Sequence, residues 1–296
     1  MKKVISKMES GLLDEDHILY KYLNSDQAPY WWKDLKEDQE LYIDVRKGNI
    51  LDVYYLGGRM AEIKYNKVIK DIVAKAHPKY LGFNDAYYED DRYYRKTIGK
   101  RGKTEYTPIY QDCIEWISKR REKLKANIKS YYSGEDEGEN TSEKFIQGSL
   151  VINHRDRYLD SELEYRLYDG EGKKVRIDLV KIEDGCFVFE ELKRIGDNRL
   201  RTTDGKPEII EQIENYRAFL KHNIDELTQY YRTLYKIKRM LGLPIPPVDD
   251  IDTIEVNPEP QLLIAKNYDK ISGKRLTRID DIEKILQTIN VKPNYI

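Results

Sequence analysis

Three side chains stand out for their types and spacing. In VRIDLVKIEDGCFVFEELK, residues 175–193, two apolar runs flank Asp184-Gly185. That dipeptide favours the two-residue turn of a β-hairpin, whose central residues both need positive φ. With Asp184 and Gly185 as the loop, Glu183 pairs with Cys186, and counting outward sets Asp178 opposite Glu191. Side chains alternate along a strand, so Lys193 joins Asp178 and Glu191 on one face while Glu190 points away. Opposed carboxylates repel unless a cation lies between them. A hard divalent ion with oxygen ligands, Mg²⁺ or Mn²⁺, would relieve the repulsion. Such an ion polarises a phosphoryl oxygen and activates water, and the lysine is placed to orient that water or stabilise developing charge. The chemistry this spacing suits is phosphodiester hydrolysis. The same count sets Arg176 opposite Lys193, two cations that call for an anion such as phosphate, or for a longer turn.

The elements that must position these residues follow an αβββα order. A helix starts near Ser142 in SEKFIQGSLVIN, strands run over 163–168, 175–180 and 186–193, and a helix begins at Pro207. A second helical stretch follows in YYRTLYKIKRMLG, the proline-rich LPIPPVDD breaks it, and QLLIAKNY supplies a late strand. Upstream, LYIDVRK, ILDVYYL and RMAEIKY read as a small β-meander with turns at Lys47-Gly48-Asn49 and Gly57-Gly58. Thr107-Pro108, leading into Ile109, Cys113, Trp116, Ile117, Leu124 and Ile128, has the cap and spacing of a helix. Between these regions SGEDEGENT is polar, acidic and has nothing to bury. The expected organisation is an N-terminal α+β module over 1–132, a linker over 133–141 and a second domain over 142–296.

Composition narrows the setting. Lysine and arginine (52) balance aspartate and glutamate (53), so any nucleic-acid contact must come from a local basic groove rather than a basic coat. Cys113 and Cys186 lie far apart without metal-ligand spacing and read as buried thiols in a reducing compartment. Met1-Lys2-Lys3 runs into Lys7, Glu9 and Asp14 without an apolar core, and no apolar run approaches bilayer-spanning length. A cytoplasmic protein without membrane contact is expected. His17, His77, His154 and His222 show no ligand spacing, and no nucleophilic serine or cysteine arrangement is present. Tyrosine pairs such as Tyr54-Tyr55 and Tyr230-Tyr231 suit either base stacking or partly buried rings with wet hydroxyls.

Asp178, followed after the hairpin by Glu191-Leu192-Lys193, resembles the core of the PD-(D/E)XK nuclease superfamily. Gln212-Ile213-Glu214-Asn215-Tyr216 is similar to the Q-x-x-x-Y motif of its RecB-like branch. The resemblance covers about 142–216 and extends more weakly to the strand near Leu263; Ile177 stands where the family name has proline. It implies a restriction-endonuclease-like core, a mixed β-sheet flanked by helices. It also implies that Asp178 and Glu191 bind metal and that Lys193 assists catalysis. Members often add a glutamate from the helix before the first core strand, which carries over to Glu143; Glu162 and Glu164 are fallbacks. A second reading of Glu143 stands beside this one, a first-turn acid favoured by the helix dipole. Gln212 and Tyr216, four apart, share a helical face and frame the site or touch nucleic acid.

Beyond the strand, Arg194, Arg199, Arg201 and Lys206 in RIGDNRLRTTDGK form a mobile basic loop suited to phosphate contacts. Arg232, Lys236, Lys238 and Arg239 read as an exposed helix face. The function these features imply is a Mg²⁺- or Mn²⁺-dependent nuclease acting on DNA rather than RNA, in restriction, repair or defence. Cutting two strands would favour a homodimer. The alternative is a non-catalytic nucleic-acid-binding or assembly module on the same fold, and the N-terminal module is a candidate recognition element.

Overall fold

The computed structural model describes residues 4–5, 13–76, 80, 94–98, 104–108, 119–133, 142–168, 174–201, 207–266 and 272–296. In chain order the elements are β1 (Val4–Ile5), α1 (Ile18–Leu23), α2 (Tyr30–Glu37), β2 (Leu41–Arg46), β3 (Ile50–Tyr55), β4 (Gly58–Asn66) and β5 (Asp71–Lys75). Then come β6 (Tyr94–Ile98), β7 (Thr104–Pro108), α3 (Arg121–Ser133), α4 (Glu143–Asn153), β8 (Tyr158–Tyr168), β9 (Lys174–Glu183) and β10 (Cys186–Arg194). The chain closes with α5 (Glu208–His222), α6 (Ile224–Met240), β11 (Glu255–Val256), β12 (Gln261–Ala265), α7 (Gly273–Gln287) and β13 (Asn294–Tyr295). It is a mixed α+β fold.

Among the described residues the largest sheet runs β1-β8-β9-β10-β12-β13, with β11 beside the first half of β10. It is mixed: β8, β9 and β10 are antiparallel neighbours, while β11 and β12 run parallel to β10. The β9–β10 hairpin turns as its sequence required, with Asp184 at φ 50° and Gly185 at φ 73° and Glu183 paired with Cys186. Helix α4 starts at a Ser142 cap whose Oγ accepts from Phe145 N at 3.2 Å. Ile146, Leu150 and Val151 of α4 pack against Leu179, Leu192 and Leu263 on one face of the sheet. On the other face lie α5 and α6. The α5 stripe of Ile209, Ile213, Tyr216 and Leu220 recurs every three or four residues and is buried throughout.

The meander forms as expected and gains β5 as a fourth strand, in the order β2-β3-β4-β5. Its second turn is centred one residue early, on Leu56-Gly57 with φ 46° and 77°. The helix expected from Thr107 is corrected at its start: Thr104–Pro108 is a strand paired with Tyr94–Ile98, residues 109–118 lie outside the described ones, and the later part forms as the helix α3. Leu124 and Ile128 are buried on α3. Most of the expected linker, 134–141, also lies outside the described residues.

The segments expected as separate modules share one hydrophobic cluster. Val45, Leu51, Val53 and Met60 belong to the same core as Leu159, Phe187, Phe189 and Tyr231. Buried charges cross the same junction. Arg46 pairs with Asp44 at 2.8 Å and with Asp160 of β8. Lys238 of α6 reaches Asp44 at 2.8 Å and the Leu159 carbonyl at 2.6 Å. Lys238 is therefore not on an exposed basic face; it is the buried counter-charge of Asp44. Turn and helix also meet backbone to backbone: a Cβ on Gly148 would lie 2.0 Å from Gly57 N.

Candidate active site

The β9–β10 ladder runs from Cys186–Glu183 to Glu190–Leu179 and stops. One step further the register places Asp178 against Glu191. On the other edge, β8 pairs with β9 at Ser161–Leu179 and Leu163–Ile177 but skips the position between, Glu162 opposite Asp178. Glu162 has φ 59°, a left-handed conformation that takes a glutamate out of the pleat. Asp178 thus sits where both ladders of its strand are interrupted.

The freed backbone groups find side-chain partners, as buried amides and carbonyls must. Asp178 Oδ2 accepts from Leu192 N at 3.0 Å. Gln147 of α4 donates through Nε2 to the Asp178 carbonyl at 2.5 Å. The Tyr216 hydroxyl meets the Arg176 carbonyl. Because the strands have parted, Arg176 does not oppose Lys193. It pairs with Glu164 across β8, and its guanidinium lies 3.8 Å from Glu162. The expected repulsion does not arise, and neither an anion nor a longer turn is required.

Asp178, Glu191 and Lys193 are 5, 2 and 0 % exposed. Glu191 Oε1 accepts from Lys193 Nζ and from Gln212 Nε2 at 2.6 Å. Its Oε2 lies 2.7 Å from the Tyr216 hydroxyl. Burial first, and then the charge of Asp178, push the Glu191 carboxyl up to about 8. The hydrogen bonds agree. The Tyr216 hydroxyl has one proton but two acceptors, Arg176 O and Glu191 Oε2, and a proton on Glu191 resolves the shortage. Gln212 also donates to Tyr216 at 2.9 Å, and its own Oε1 is buried without a hydrogen-bond partner among the described residues.

Glu143 belongs to the first turn of its helix and also faces the site. It lies in the first turn of α4, and its Oε1 is 3.8 Å from Lys193 Nζ. Burial raises its carboxyl, with Lys193 opposing and Asp178 adding to the shift. The fallbacks are engaged elsewhere: Glu162 pairs with Lys144 and Arg176, and Glu164 is exposed on β8. Arg199 approaches Glu143 at 3.8 Å and is held by Asp197, with a closest contact of 2.6 Å. It sits on a short 3₁₀ turn, Asn198–Leu200, anchored by buried Leu200. The first half of the basic loop is therefore fastened to the core. Arg194 is half-buried and Arg201 exposed, while residues 202–206, including Lys206, lie outside the described ones.

Among the described residues no three of His, Cys, Asp or Glu are grouped so as to hold a metal ion. The available donors are nonetheless of the right kind for a small hard cation: the carboxylates of Asp178 and Glu191, that of Glu143 nearby, and the unpartnered Gln212 Oε1. Gln147 went unnoticed in the sequence, although its place one turn after Glu143 was a usable signal. No protein-family model, curated protein or solved structure matches the chain. Among the described residues no helix is long and apolar enough to cross a membrane.

Proposed function

We propose that the protein is a cytoplasmic, metal-dependent nuclease of the PD-(D/E)XK type with a restriction-endonuclease-like core, hydrolysing phosphodiester bonds in DNA. The observation that carries the reading is the burial of Asp178, Glu191 and Lys193 together at the break in both ladders, with Gln212 and Tyr216 closing on Glu191. A protein spends stability to bury two carboxylates beside one ammonium, and a divalent ion offsets that cost.

Asp178 and Glu191 would hold Mg²⁺ or Mn²⁺, with Glu143 completing the set. When bound, the ion would supply Lewis-acid polarisation of the phosphate and a lowered pKa for water. Lys193 is close enough to Glu191 and Glu143 to orient the attacking water and to stabilise charge on the phosphoryl oxygens. Tyr216 and Gln212 fix the rotamer of Glu191, so that its oxygens are aimed before substrate arrives. Arg199 stands beside Glu143, where a phosphate of the bound strand would draw it from Asp197.

One observation favours the alternative, a non-catalytic binding or assembly module: both Glu191 oxygens already have hydrogen-bond partners. Cleavage of plasmid and single-stranded DNA with Mg²⁺ or Mn²⁺, compared with Lys193→Ala, separates the two. Cleavage by the wild type alone supports the nuclease. No cleavage by either protein, or equal cleavage by both, rejects it.

A further inference from the structure

Gln147 lies four residues after Glu143, so the two side chains leave the same face of α4. Gln147 is 2 % exposed, and its amide donates to the Asp178 carbonyl at 2.5 Å. That carbonyl lies in the one stretch of β9 that neither β8 nor β10 pairs. The bond therefore does two things: it satisfies a stranded acceptor, and it ties the helix carrying Glu143 to the strand carrying Asp178.

The rest of the α4 packing constrains the helix less closely: its other polar tie to the sheet, Lys144 to Glu162 of β8, sits at the end of a long flexible side chain, and the remainder is apolar or steric. Ile146, Leu150 and Val151 meet Leu179, Leu192 and Leu263 through apolar contacts, which have no directional preference. Gly148 meets the Leu56–Gly57 turn backbone to backbone, which sets how closely the helix approaches and broadly which face it presents, but makes no tie to the strand that carries Asp178. A directed hydrogen bond from a buried amide fixes the rotation, and with it where the Glu143 carboxylate falls relative to Asp178 and Glu191.

We propose that Gln147 is a positioning residue that sets the affinity of the site for its divalent ion by fixing Glu143 against Asp178. This rests on the metal-dependent reading above.

The test is Mn²⁺ binding to the full chain, measured by titration calorimetry. Gln147→Met keeps the length and loses the donor; it is expected to weaken Mn²⁺ binding about tenfold, as loss of an orienting partner does at metal sites. Gln147→His places an N–H at similar reach and is expected to recover most of that loss. Adding Gln147→Met to Glu143→Gln should cost nothing beyond Glu143→Gln alone, because both changes act through one carboxylate. The Mg²⁺ concentration for half-maximal cleavage should rise in step, with kcat at saturating Mg²⁺ little altered. Wild-type affinity in folded Gln147→Met, or additive losses in the double variant, overturns the proposal. If Gln147→Met does not fold, Gln147→Asn, too short to reach the carbonyl, takes its place in the same cycle. A wild type that binds no Mn²⁺ overturns the metal-dependent reading itself, and this inference with it.

Discussion

Glu190 and Glu191 are neighbours on β10, both buried, and they meet opposite fates on the two faces of one sheet. Glu190 is answered: Lys181 Nζ lies 2.7 Å from its Oε1 and the Tyr158 hydroxyl donates to its Oε2 at 3.1 Å. Lys181 also meets Glu183 at 2.8 Å, but Arg157 answers that second carboxylate at 2.7 Å, so the charges balance two to two, and Gln261 steadies the lysine at 3.0 Å. Glu191 shares Lys193 with Glu143 and faces Asp178, so acids outnumber bases around it. Burial first, and then the charge of Asp178, drives its carboxyl up to about 8. A closed charge cluster holds a sheet together, whereas one short of positive charge is poised to take up a cation.

The comparison breaks most visibly in activity. Lys193→Ala is expected to lower cleavage by about a thousandfold or more, in the range for removing a transition-state donor, while leaving the circular dichroism spectrum unchanged. The matching change on the other face, Lys181→Met, strands Glu190 in the core and should cost about 3–5 kcal/mol of stability. Urea denaturation measures that cost, and cleavage per folded molecule should stay near wild type. If Lys181→Met abolished cleavage while the fold was kept, the division between the faces would be wrong.

A third expectation concerns pH. Without an ion, folded Glu191 keeps its proton up to about pH 8, whereas an unfolded glutamate ionises near 4.5. Between these values the folded chain binds more protons than the unfolded one, so raising the pH favours unfolding. The metal-free melting temperature of the wild type should fall from pH 5 to 8.5 more steeply than that of Glu191→Gln. Added Mg²⁺ should reduce that fall, since the ion takes the proton's place. Parallel wild-type and variant curves would remove Glu191 as their source. The smallest effect belongs to Arg199→Ala: DNA binding weakened a few-fold, with a salt dependence shallower by about one phosphate contact. An unchanged salt slope would place Arg199 outside the substrate path.

Much of the site was legible in the sequence because it depends on short-range rules. Asp184-Gly185 both adopt positive φ, and alternation from that turn puts Asp178, Glu191 and Lys193 on one face and Glu190 on the other. Gln212 and Tyr216 reach Glu191 from one helical face, as their spacing implied. Other features were hidden for a physical reason. Counting from the turn assumes that a ladder continues, and it set Arg176 against Lys193; β10 instead passes to β12, a strand more than sixty residues later in the chain. Lys238 sits in a basic run that reads as solvated, yet Asp44, nearly two hundred residues earlier, makes it a buried ion pair. The Thr107-Pro108 pair has the cap and proline of a helix start, yet it ends a strand, and only its pairing with Tyr94 and Arg95 decides that.

By itself, then, the sequence determined the turn, the face and the chemical types at the candidate site, because side-chain periodicity and backbone preference act over a few residues. The tertiary structure decided where the strands part, that Gln147 meets the Asp178 carbonyl, and that Glu191 is left short of positive charge. Each of those depends on which distant element supplies the neighbour, and on how much water that neighbour removes.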